Sequence, residues 1–107
     1  MDLRTALPRS ARDTIAGLAM AARTADKARA SAAGTLGKFA YDCSMDNRLF
    51  AFAGTNAAEY LVAVTSATDD SGAEALLSRR IASKSPEEIA AYNDAITSWE
   101  AKPGSAC

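Results

Sequence analysis

The chain has 107 residues, of which 26 are alanine and only 17 are Leu, Ile, Val or Phe. One domain is the natural count at that length, because two separate cores would each be too small to hold together. The formal net charge of −1 argues against disorder driven by self-repulsion, and Arg, Asp or Lys interrupts every apolar run long enough to span a bilayer. Alanine is the best helix former and has no side-chain entropy to lose. The composition therefore predicts an all-α domain of five or six short helices, closely packed.

Residues 1–9 read as an N-terminal arm ending near Pro8, with Leu3 and Leu7 placed to pin it. Ser10 has N-cap character and Asp13 follows three residues later. A helical pattern then runs from about Ala11 to Ala33, weakened by Gly17 and with a possible break at Ala21-Ala22-Arg23. Gly34 and Gly37 open an irregular loop over about 34–44. Ser44 caps a short helix carrying Met45, Leu49, Phe52 and Ala53 and closed by Gly54. Asn56 and Glu59 form a capping pattern for the next helix, with Tyr60, Leu61 and Val64 in its stripe. Asp69-Asp70-Ser71-Gly72 is a loop and cap signal before Ala73, Leu76, Leu77 and Ile81. Ser85-Pro86-Glu87-Glu88 is the clearest helix start, leading to Ile89, Tyr92, Ile96 and Trp99. Residues 103–107 read as a frayed tail.

Histidine is absent. That removes Ser-His-Asp and Cys-His activation and the commonest metal ligand. No catalytic residue, metal or cofactor is assigned, and the reading leans against an enzyme. Cys43 and Cys107 are the two cysteines, and nothing in the sequence supports the secreted context that a structural disulfide needs. Met1-Asp2-Leu3-Arg4 lacks the basic-then-apolar build of a secretory signal, so a cytoplasmic protein is expected.

The densest polar cluster is Arg23, Asp26, Lys27 and Arg29, spaced three and four residues apart on one helical side. It reads either as a solvated face with weak ion pairs or as an anion-binding, partly buried network. In the second reading Arg23 and Lys27 hold a phosphate or carboxylate, and Asp26 fixes Arg23 or Arg29. Gly34 and Gly37 could bring backbone amides to the same anion, although a helix C-cap and turn explain them more simply. Asp46 reads as a helix cap, a partner for a basic residue, or an acid/base group. Cys43, between Asp42 and Asp46, reads as a buried, inert thiol. The aromatic residues read as core.

Charge is uneven along the chain. Residues 1–38 hold seven Lys/Arg against three Asp/Glu, and residues 39–107 hold five against ten. Without an arginine-rich run, the basic third is better explained by neutralisation within the fold than by nucleic acid.

The order Pro8-Arg9-Ser10, then Arg23-Thr-Ala-Asp26-Lys27-Ala-Arg29-Ala, then Ala33-Gly34-Thr-Leu-Gly37, resembles domain-of-unknown-function family 5069, a group of small bacterial proteins. The similarity continues through Cys43, Asp46, Phe52 and Gly54 to Ser85-Pro86-Glu87-Glu88 and Asn93. The resemblance implies a mainly helical fold and a bacterial cytoplasmic setting, and no activity. The function expected from the residues is a non-enzymatic helical module that binds a protein partner or itself, since added interface would stabilise so thin a core. The alternative is binding of a small anion through Arg23, Asp26 and Lys27.

Overall fold

The computed structural model describes residues 1–99 and 105–107. Its five helices are α1 (Ala21–Ala33), α2 (Ser44–Ala53), α3 (Ala57–Thr65), α4 (Ser71–Arg80) and α5 (Pro86–Ser98), preceded by a hairpin of β1 (Thr14–Ile15) and β2 (Leu18–Ala19). The domain is thus largely all-α, as its alanine content and capping signals predict.

The expected helix from Ala11 to Ala33 forms only in its second part. Ala16 and Gly17 both adopt positive φ, 54° and 77°, which fits the two-residue turns that join antiparallel strands. Thr14 pairs with Ala19 and Ile15 with Leu18 across that turn. Met20 also sits in the left-handed region, at φ 74°, and α1 starts after it. The local break therefore falls at residue 20. Tertiary hydrogen bonds fix the hairpin: Asn93 accepts from the Ala19 N–H and donates to the Gly17 carbonyl, and Tyr92 Oη donates to the Ala19 carbonyl.

Helix α1 is the centre of the molecule. Every residue from Ala21 to Ala28 is buried, and its alanines let α3 approach closely. Tyr60 of α3 is fully buried and donates its phenol hydrogen to the Ala21 carbonyl at 2.8 Å. The later helices obey their capping signals, with Asn56 accepting from the Glu59 N–H and Ser85 and Glu88 satisfying each other's backbone N–H.

The ends differ from expectation. Leu3 is buried with Ala30 and Phe39 and pins the arm, but Leu7 is 77% exposed. Cys43 and Cys107 are joined by a disulfide, so Cys43 is neither free nor an inert apolar thiol. Residues 105–107 do not fray: besides the disulfide, the Ala106 carbonyl accepts from the Ala40 N–H at 2.8 Å. Pro103 and Gly104 of the expected tail lie outside the described residues.

Candidate functional site

The solvated-face reading of the charged cluster is overturned by burial: Arg23 is 7% exposed, Asp26 3%, and Lys27 and Asp46 0%. Ion pairs of this kind form only where the hydrogen-bonding capacity of each partner is met. Here the groups resolve into two networks on neighbouring parts of α1.

The first network ties the N-terminal arm, α1 and the start of α4 together. Asp26 accepts from the Arg9 backbone N–H at 2.8 Å and from the Arg9 guanidinium at 3.1 and 3.2 Å. Arg9 also forks onto Asp70 at 2.7 and 3.0 Å. Arg29 closes the ring, 3.5 Å from Asp26 and 3.1 Å from Asp70, and donates to the Asp69 carbonyl. Hydrogen bonds from Arg9, and then from Arg29, hold the Asp70 carboxyl down at about 2 against burial that opposes them. Two cations and two carboxylates alternate, so this ring is balanced in charge.

The second network is centred on the buried pair Lys27 and Asp46. Asp46, in the first turn of α2, accepts from Lys27 Nζ at 2.8 Å, from Thr24 Oγ1 at 2.6 Å, and from the backbone N–H groups of Asp42 and Cys43 at 2.9 and 3.1 Å. The local sequence explains the last two contacts, since an acidic residue at the third helical position reaches back to free amides at the helix start. Lys27 points its remaining capacity at the Cys107 main-chain oxygen, 2.6 Å away, and at Cys43 Sγ, 3.5 Å away. Its three donors are thereby all engaged.

Arg23 donates through Nε to that same Cys107 oxygen at 3.1 Å and through Nη1 to the Arg9 carbonyl at 3.3 Å. Its guanidinium carbon lies 5.7 Å from the centre of the Phe39 ring. Among the described residues, no Asp or Glu comes within ion-pair distance of Arg23. Burial lowers the pKa of both Arg23 and Lys27 despite the nearby carboxylates. Around Lys27, N–H groups of two cationic side chains thus converge on a single oxygen, that of Cys107.

The sequence-predicted residues divide accordingly. Arg23, Lys27 and Asp46 meet in the second network, while Asp26 and Arg29 belong to the structural ring. Gly34 and Gly37 join neither among the described contacts. Gly34 caps α1 at φ 71°, its N–H donating to the Ser31 carbonyl. Gly37 is needed where the arm crosses, since a Cβ there would lie 3.2 Å from Arg4 Cα and 3.3 Å from the Leu3 carbonyl oxygen.

Sequence reasoning missed Arg9, Thr24, Asp70 and Cys107. The uneven charge was the one available signal: Arg9, Lys27 and Arg29 of the basic third find Asp46 and Asp70 of the acidic remainder. Cys107 left no trace, because a disulfide between residues 64 apart has no local pattern.

No helix among the described residues is long and apolar enough to cross a membrane. No curated protein matches the chain. The family model of a domain of unknown function, DUF5069, matches residues 5–106. The chain whose α1 carries these networks therefore belongs to the DUF5069 family.

Proposed function

We propose that this protein is a small-anion-binding module in which Arg23 and Lys27 hold a carboxylate or phosphate oxygen. One observation carries the reading. Arg23 Nε and Lys27 Nζ donate to the same oxygen, that of Cys107, at 3.1 and 2.6 Å. Two charged donors on one acceptor are the arrangement that recognises an oxyanion.

Displacing that oxygen leaves two buried donors without partners, at a cost of about 1–3 kcal/mol for each. An anion would satisfy both. Thr24, Asp46 and the ring of Arg9, Asp26, Arg29 and Asp70 are positioning groups in this account. Convergent donors are a ligand geometry, whereas the thin core was only an indirect argument for a protein interface, so the anion reading is preferred.

The test titrates the Cys107→Ser chain with inorganic phosphate and with acetate, by calorimetry. Saturable binding of either anion, lost in Cys107→Ser/Arg23→Met with unchanged far-UV circular dichroism, supports the reading. Absence of binding in a folded Cys107→Ser chain overturns it.

A further inference from the structure

We infer that the Cys43–Cys107 disulfide gates this site, holding the Cys107 oxygen in the anion position when oxidised and releasing it when reduced. The inference rests on the anion reading above and adds its regulation.

Residues 105–107 are held by the disulfide, by the hydrogen bond from Ala40 to Ala106, by the convergence of Arg23 and Lys27 on Cys107, and by packing of Cys107 against the core. Only the first is covalent. It raises the effective concentration of the Cys107 oxygen at the two donors far above that of a free ligand. Once it opens, the remaining hydrogen bonds are individually weak in competition with water, and an anion can compete. Cys43 and Cys107 are both only partly buried, so a small thiol can reach them.

Lys27 lies beside one of the two sulfurs: its ammonium is 3.5 Å from Cys43 Sγ. Cys43 also sits at the start of α2, where the helix dipole is positive. Both features favour a thiolate on Cys43, against the carboxylates of Asp42 and Asp46 beside it. In the exchange a low-molecular-weight thiolate attacks Cys107 Sγ. The protein S–S bond breaks, and its electron pair leaves on Cys43. A second thiolate attacks the outer sulfur of the mixed disulfide and expels Cys107 as a thiolate, which takes a proton from water. Two small thiols are oxidised to one disulfide, and the protein disulfide receives their two electrons.

A bound anion and a Cys43 thiolate then draw on the same ammonium. Binding of the anion disfavours the thiolate, so ligand and thiol reactivity are linked. In a reducing compartment a bond of this kind is regulatory rather than a permanent staple.

The test measures inorganic phosphate binding to oxidised wild-type protein, to wild type in dithiothreitol, and to Cys107→Ser. In the third sample, phosphate is also tested for its effect on alkylation of Cys43 by iodoacetamide. The gate predicts binding roughly ten-fold or more weaker in the oxidised sample than in the other two, and slower alkylation with phosphate bound. Equal binding by oxidised and reduced wild type overturns the gate while leaving the anion site standing. So does a reduced wild type that binds no better than the oxidised form while Cys107→Ser binds well. A folded Cys107→Ser chain that binds no phosphate overturns the anion reading itself.

Discussion

Lys27 and Asp46 form an ion pair of 2.8 Å in which both side chains are wholly buried. Burial of two charges is tolerated here because Asp46 has four donors and Lys27 has three acceptors. Breaking such a pair from one side strands a charge, which costs about 3–5 kcal/mol. Asp46→Ala should therefore lower stability by about that amount in urea unfolding. Lys27→Met/Asp46→Leu removes both charges and should lose less than Asp46→Ala alone. A double variant less stable than the single one would show that the network stabilises by more than mutual charge compensation.

The acid limb of stability should depend on Asp70. Its carboxyl is held at about 2 in the folded chain, chiefly by hydrogen bonds from Arg9, against an ordinary value of 3.8. A folded pKa below the unfolded one means that the stabilisation is present above pH 4 and is lost as pH falls toward 2. With a side chain 33% exposed, the contribution is about 1–2 kcal/mol after allowance for solvent screening. Asp70→Asn should remove this part of the stability and flatten the decline between pH 4 and 2. An unchanged pH profile would contradict the ring of ion pairs.

The alkaline limb belongs to the tyrosines. Burial raises the pKa of Tyr41, Tyr60 and Tyr92, which donate to the carbonyls of Ala57, Ala21 and Ala19. Each folded value lies above the ordinary 10, so the stabilisation is complete below that pH and is lost as pH rises past it. These are the only tyrosines in the chain. Tyrosinate absorbance should therefore appear together with loss of helical circular dichroism. Tyrosinate formed in a chain that keeps its helicity would contradict the burial of these phenols.

Two glycines should respond to alanine for different reasons. A Cβ on Gly72 would clash with the Ala63 carbonyl oxygen, where α4 begins against the end of α3. Backbone cannot rotate out of the way, so Gly72→Ala should cost about 3 kcal/mol, at the upper end of overpacking effects. Gly17 has nothing within 4 Å of that position but sits at φ +77°, so Gly17→Ala should cost about 1–2 kcal/mol from backbone strain. Thermal unfolding of the two variants checks the order.

How much of this was legible beforehand follows the range of the interactions. Asn56, Ser85 and Gly54 act within one or two turns, and their helices are readable from spacing. The hairpin at Ala16-Gly17 was not, because a helical propensity summed over alanines outweighs one glycine locally. Contacts from Tyr92 and Asn93, more than 70 residues away, help to fix it. At the site, Arg23, Asp26, Lys27 and Arg29 stood out as a cluster on one helix. Their division into a closed ring and a convergent pair depends on Arg9, Asp46, Asp70 and Cys107, which only the fold assembles.

The central claim is that Arg23 and Lys27 face a ligand while Arg9 and Arg29 do not. Following the arginine Nε–H resonances of labelled Cys107→Ser during a phosphate titration tests it most directly. The account predicts a saturable shift of the Arg23 Nε–H signal, with those of Arg9 and Arg29 nearly unmoved. A folded chain in which the Arg23 signal stays fixed, or in which all three arginines shift alike, would contradict it.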